Sequence, residues 1–118
     1  ISNYCVITEP LGYFEMLTLI KHAKMVITDS GGLQEETTYL GIPCLTMREN
    51  TERPSTLQPG TSVLVGNDTG KLMQQVDAIL TGNFKKGMAP ELWDGRAAER
   101  IIEVLANWFA CRQLNYSP

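Results

Sequence analysis

Short apolar runs that end in a tight turn or a polar loop are the feature that most limits how this chain can fold. Residues 25–28 and 43–47 are such runs, without alternation of polar and apolar side chains. Continuous runs of this kind are typical of strands in a parallel sheet covered on both faces. Residues 62–65 are predicted to form a shorter strand, and residues 4–8, which are rich in β-formers, are predicted to form the first one.

Segments with helical periodicity separate these runs. Apolar residues spaced by three and four predict helices over residues 13–23, 33–40, 71–80 and about 95–111. Gly41 is expected to end the second helix. Strands and helices that alternate with short connections indicate the α/β class, here a parallel, doubly wound, Rossmann-like sheet. The 118 residues suit one domain spanning 1–118.

Charge and composition exclude several classes of function. The net charge of −3 argues against a nucleic-acid or membrane-surface binder, which needs a basic patch. The longest apolar runs are far too short for a membrane span. Three widely spaced cysteines and a single histidine, His22, do not predict a metal site. Cys5 and Cys44 lie in strand-like runs, so we expect buried, reduced thiols in a cytoplasmic protein.

The turn after the second predicted strand is the strongest candidate for a binding site. Ser30, Gly31 and Gly32 follow that strand and open a helix. Ligands of α/β sheets bind at the carboxyl ends of the strands, and helix N-termini bind anions. A diphosphate could approach the two glycines closely because they lack Cβ. Taken alone, the local sequence is more simply explained as a plain strand-to-helix connection with ordinary capping.

Two charged residues extend this candidate site. Glu36 lies one helical turn beyond Gly32, where its carboxylate could accept hydrogen bonds from a ribose diol. Glu35 is more simply explained as an acid that complements the helix dipole. Arg53, in the polar loop after the third predicted strand, could neutralise a phosphate or could belong to a solvated loop held by its own ion pairs.

The combination of these segments resembles the C-terminal domain of the non-hydrolysing UDP-N-acetylglucosamine 2-epimerases. The match runs in the correct order across nearly the whole chain. In that order the matching segments are Glu9-Pro10, Tyr13, Asp29-Ser30-Gly31-Gly32-Leu33-Gln34-Glu35-Glu36, Gly41-Ile42-Pro43, Thr51-Glu52-Arg53-Pro54, Leu64-Val65-Gly66 and Asp94-Gly95-Arg96-Ala97-Ala98.

The resemblance implies a two-domain fold of the glycosyltransferase-B type, of which this chain is part of the second domain. It implies interconversion of UDP-GlcNAc and UDP-ManNAc by elimination and re-addition of UDP, without a cofactor. The residues that match Ser30, Gly31 and Gly32 hold the diphosphate in that family, the match to Glu36 holds the ribose, and the match to Arg53 contacts the nucleotide.

Other parts of the family pattern depart from this sequence or are absent from it. Leu11 and Met16 stand near the family's uridine pocket, where members often carry a polar residue and an aromatic one. The family's catalytic carboxylates lie in an N-terminal domain that is absent here. No catalytic residue is therefore assigned in this chain, which is expected to be inactive alone. The parent protein is expected to be a homodimer.

Three other functions remain open from the sequence. A glycosyltransferase of similar architecture would bind the same donor, although the Thr51–Pro54 segment favours the epimerase. A non-catalytic UDP-sugar-binding module would need no further domain. A hydrolysing 2-epimerase would release free ManNAc.

Overall fold

The computed structural model describes the backbone of residues 4–114 and the side chains of residues 4–112. The described part is an α/β fold with one three-stranded parallel sheet, which confirms the predicted fold class. Its elements are α1 (Tyr13–His22), β1 (Val26–Thr28), α2 (Gly31–Leu40), β2 (Cys44–Thr46), a 3-10 turn (Pro54–Thr56), β3 (Ser62–Leu64), α3 (Thr69–Leu80) and α4 (Ala97–Leu114).

Strand β2 is the centre of the sheet and of the core. The order is β1-β2-β3, and the register aligns Thr28 with Thr46 and Thr46 with Leu64. All three residues of β2 are fully buried, as its apolar sequence predicts. On β1, by contrast, Ile27 is 47% exposed because that strand is the edge of the described sheet. The parallel register brings the carboxyl ends of the three strands to one edge.

Helix α2 connects β1 to β2 and packs against β2, β3, α1 and the 3-10 turn. It begins after Ser30, which has extended backbone angles, and ends at Gly41 in the left-handed region with φ 73°. Its buried residues are Gln34, Thr37 and Thr38, so the face towards the core is polar. Polar side chains this deep in a fold must be hydrogen-bonded.

Helix α3 follows β3 and is stabilised at its start by a side-chain cap. Asp68 Oδ1 accepts the N–H of Lys71 at 3.0 Å, which satisfies one of the unpaired amides of the first turn. Of the four apolar residues predicted to share one face of this helix, Leu72, Val76 and Ile79 are half-buried and Leu80 is 59% exposed.

Helix α4 forms close to its predicted range but leaves its apolar residues in contact with water. Ile101, Leu105 and Trp108 are each about half exposed, because α4 lies away from the sheet. Its first turn is tied to the preceding loop by Arg100, which donates two hydrogen bonds of 2.9 Å to the Asp94 carboxylate. Within residues 4–114, no helix is long and apolar enough to cross a membrane.

The tether at the start of α4 is stable at neutral pH. The Arg100 guanidinium holds the pKa of the Asp94 carboxyl well below its usual range, and the N–H of Arg96 adds to this effect. A carboxyl with a depressed pKa in the folded state contributes stability above its unfolded-state pKa of about 4, and this contribution is lost as the pH falls through the folded-state value.

The prediction of a strand over residues 4–8 is wrong. These residues form no strand, and Tyr4, Val6 and Ile7 are 95%, 88% and 73% exposed. High β-propensity forms a strand only where a neighbouring strand supplies hydrogen bonds, and no described strand pairs with this segment. The expected burial of Cys5 fails for the same reason, whereas Cys44 is buried in β2 as predicted.

Replacement of Gly41 with alanine tests the end of α2. No atom lies within 4 Å of the added Cβ, so the cost is the left-handed backbone alone. We expect Gly41→Ala to lower the free energy of unfolding by about 1–2 kcal/mol in urea denaturation. Gly41→Asn is the matched control, because asparagine adopts this conformation more readily. An equal loss in both variants would contradict the explanation.

Candidate functional site

The first turn of α2 presents amides without acceptors at the carboxyl edge of the sheet. The N–H of Ser30 is occupied, since it donates to Thr28 Oγ1 at 3.1 Å. The N–H groups of Gly31 and Gly32 meet no acceptor within the described residues, and the Ser30 hydroxyl makes no capping bond. Such a turn carries partial positive charge and is suited to an anion.

The two glycines of this turn are not required by the fold itself. A Cβ on Gly31 would meet nothing within 4 Å, and one on Gly32 would meet only Ser30 Oγ at 3.9 Å. Neither glycine has a positive φ. Because neither packing nor backbone conformation excludes a side chain, the absence of Cβ leaves the space beside these two amides open for the close approach of a ligand.

A cleft of about 460 Å³ lies beside α2 and contains Glu36. Its size falls in the range of roughly 300–1,000 Å³ that is usual for small-molecule sites. The walls are mainly apolar, and Glu35 and Glu36 are the acidic residues among them. The lining residues come from α1, α2 and the loop before α4: Tyr13, Leu17, Glu35, Glu36, Tyr39, Leu40 and Trp93.

Arg53 lies against α2 through an ion pair with Glu35. Its Nε atom is 3.3 Å from Glu35 Oε2, and both side chains are nearly half exposed. An ion pair in this setting contributes at most about 1 kcal/mol, so the guanidinium can exchange its partner at little cost. The structure therefore brings Arg53 close to the helix that carries Ser30, Gly31, Gly32 and Glu36.

Leu11 and Met16 are not brought into the cleft that contains Glu36. Leu11 lines a separate groove together with Thr8 and three residues of α1, Glu15, Thr18 and Leu19. Met16 is partly exposed on α1 and is not among the residues that line the Glu36 cleft. Their assignment to a uridine pocket stays a prediction.

Sequence reasoning missed two contributions to this site. Glu35 pairs with Arg53 in addition to lying near the helix start. Gln34, adjacent to it, is fully buried and contacts the loop that carries Arg53. The signal for Gln34 was the spacing of three and four residues to Thr37 and Thr38, which places all three on the buried face of α2.

The groups with displaced pKa values lie outside the cleft. Burial lowers the pKa of Lys85, whose Nζ donates to the carbonyl oxygens of Leu57 and Ser62 and so joins the 3-10 turn to β3. Asp94 and Arg100 form the tether of α4. Among the described residues, no three or more His, Cys, Asp or Glu side chains form a group that could hold a metal ion.

Comparison with known proteins identifies the family. The family model described as UDP-N-acetylglucosamine 2-epimerase matches residues 2–106. The chain belongs to this family. The UDP-N-acetylglucosamine 2-epimerase of Methanocaldococcus jannaschii is 44% identical over 99 residues, which are 84% of this chain and 26% of the relative. That of Escherichia coli K12 is 39% identical over 106 residues, 86% of this chain and 28% of the relative.

Solved structures of the epimerase family share the fold. The crystal structure of the M. jannaschii UDP-GlcNAc 2-epimerase in complex with UDP-GlcNAc and UDP has a TM-score of 0.66 and 42% identity, covering 85% of this chain and 27% of that one. The chain thus spans about a quarter of the length of the relatives it matches. Membership of the epimerase family favours the epimerase over the glycosyltransferase interpretation of the sequence.

Replacement of Gly31 with alanine tests whether the stability of the fold requires glycine at this position. Since the added Cβ meets nothing, we expect Gly31→Ala to keep the stability of this epimerase-family chain or raise it by up to about 1 kcal/mol through helix propensity. Urea denaturation measures this, with Gly41→Ala, at the other end of the same helix, as the destabilised reference. A loss in Gly31→Ala as large as in the reference would mean that the fold itself requires this glycine.

Proposed function

We propose that this chain is the UDP-sugar-binding part of an epimerase that interconverts UDP-GlcNAc and UDP-ManNAc by eliminating and re-adding UDP. The observation that carries the proposal is the pair of amides at Gly31 and Gly32 that have no acceptor among the described residues, with open space where the side chains of these residues would stand. Family membership supports UDP-GlcNAc as the ligand, because a relative crystallised with UDP-GlcNAc and UDP matches 85% of the chain.

Each proposed contact follows from the chemistry of the group concerned. The diphosphate accepts hydrogen bonds from the amides of Gly31 and Gly32, with help from the helix dipole and the Ser30 hydroxyl. Glu36 accepts hydrogen bonds from the ribose diol in the adjacent cleft. Arg53 leaves its exposed partner Glu35 for a phosphate group, two oxygens of which can accept a bidentate charge-assisted contact from the guanidinium. Leu11 and Met16 stay predicted neighbours of the uracil, although neither lines the cleft that contains Glu36.

Retention of UDP is central to this reaction. The nucleotide is the leaving group in the elimination and the nucleophile in the re-addition, so it must stay in place between the two steps. A site that holds both reactants in position turns the return step into an effectively unimolecular one. We assign this retention of UDP between the two steps to the first turn of α2, Glu36 and Arg53.

The proton transfers are assigned to another part of the parent protein. General acid–base catalysis needs a group within hydrogen-bond reach of the proton that moves. We place no such group in this chain, which we regard as part of the second domain of a cytoplasmic, homodimeric enzyme of the glycosyltransferase-B type. An N-terminal domain would supply the catalytic carboxylates, and no metal or organic cofactor is required.

Replacement of Glu36 tests the ribose contact. If its carboxylate holds the diol, Glu36→Gln should weaken UDP binding by about 1–3 kcal/mol, the range for a hydrogen bond to a charged group. Isothermal titration calorimetry of the chain with millimolar UDP measures the change. Glu103→Gln is the matched control, since Glu103 is an exposed glutamate on α4, away from the cleft. Equal UDP affinities in the native chain and Glu36→Gln would reject this role.

The chain alone should bind UDP-GlcNAc without converting it. Proton abstraction at C2 needs a general base that we assign elsewhere, so NMR of UDP-GlcNAc incubated with the pure chain should show no UDP-ManNAc and no exchange of the C2 proton with deuterium oxide. Appearance of either signal would place the catalytic groups inside this chain.

A further inference from the structure

Gln34 is the most deeply buried long polar side chain of α2. Its exposure is 0%, while its neighbours Glu35 and Glu36 are half-buried at the cleft. A buried amide costs stability unless it is hydrogen-bonded, and an apolar side chain of the same length would fill this space at no such cost. The presence of glutamine here therefore calls for a role that its hydrogen bonds fulfil.

The amide group of Gln34 bridges two threonines of the neighbouring loop. Its Oε1 lies 2.8 Å from Thr51 Oγ1 and 3.3 Å from Thr56 Oγ1. Nε2 has no partner among the described residues. The Thr56 hydroxyl has one proton, which it donates to the carbonyl oxygen of Arg53 at 2.7 Å. With the oxygen and nitrogen positions of Gln34 exchanged, Nε2 donates to both threonine hydroxyls, and the bridge needs no second proton from Thr56.

The two threonines hold both backbone polar groups of Arg53. The N–H of Arg53 donates to Thr51 Oγ1 at 3.0 Å, and the carbonyl oxygen of Arg53 accepts from Thr56 Oγ1 at 2.7 Å. Arg53 is thus fixed from its two sides by residues that both contact Gln34. A helix and a loop separated by 17 residues or more along the chain are joined at one buried point.

We propose that Gln34 is a positioning residue that sets the distance of Arg53 from the first turn of α2. This inference rests on the proposed function, in which both elements grip the same diphosphate. The surface pair with Glu35 is too exposed to fix the arginine by itself, whereas the bridge is anchored on the fully buried amide of Gln34 and on the buried hydroxyl of Thr56. Gln34 acts on the ligand through Arg53 and does not contact it.

Removal of either half of the bridge should weaken UDP binding. We expect Gln34→Met and Thr51→Val, which keep shape and lose hydrogen bonding, each to raise the Kd for UDP on the order of tenfold, the effect of about one lost hydrogen bond. Thr51→Ser keeps the hydroxyl and should restore most of the affinity. Thr37→Val is the matched control, because its buried hydroxyl bonds within α2 and does not reach the loop.

A double-mutant cycle with Arg53→Ala separates positioning from general destabilisation. If Gln34 acts through Arg53, then Gln34→Met should not weaken UDP binding further when Arg53 is already alanine. Amide hydrogen exchange at residue 53, measured by NMR without ligand, should be faster in Gln34→Met and Thr51→Val than in Thr37→Val. Should Gln34→Met fail to fold, Thr51→Val takes its place in the cycle.

The results distinguish failure of this inference from failure of the proposed function. If Arg53→Ala weakens UDP binding but Gln34→Met and Thr51→Val do not, or if their effects persist undiminished in the Arg53→Ala background, the positioning role is overturned. If the native chain takes up no UDP, or Arg53→Ala binds it unchanged, the proposed function fails and the inference fails with it.

Discussion

The burial of β2 between two parallel neighbours is the constraint on which the other parts of this molecule depend. Cys44, Leu45 and Thr46 are fully enclosed, and their backbone groups pair with β1 on one side and β3 on the other. A slip of one residue would turn the buried side chains to the opposite face. The register therefore fixes which turns stand side by side, and with them the contact between α2 and the loop that carries Arg53.

Periodicity predicted the fold well wherever an element packs against another described element. The helices around Ile20 and Thr37 and the strand around Leu45 lie within a residue or two of their predicted bounds. The failures, residues 4–8 and the apolar face of α4, share one cause. A pattern of apolar residues shows that a segment has a surface to bury, but the partner that buries it belongs to the tertiary structure.

The sequence predicted the anion-binding turn of the candidate site, but it did not predict the hydrogen bonds and the ion pair that join α2 to the loop that carries Arg53. The order of strand, Ser30, two glycines and helix pointed to an anion site, and the structure leaves those amides without acceptors. The bridge from Gln34 to Thr51 and Thr56 could not be read from the sequence, because it joins residues far apart in the chain through side-chain rotamers. The charged residues around Arg53 suggested ion pairs within the loop, and nothing in the sequence indicated that Arg53 would form its ion pair with Glu35 on α2.

Because α4 exposes large apolar side chains, the stability of this chain depends on whether another molecule covers this helix. Each large apolar side chain kept in water forgoes about 1.5–3 kcal/mol that full burial would provide, and Ile101, Leu105 and Trp108 are only half covered. Any molecule that covered this helix in the folded state alone would shift the unfolding equilibrium by mass action. The melting temperature of the chain would then rise with the concentration of that molecule.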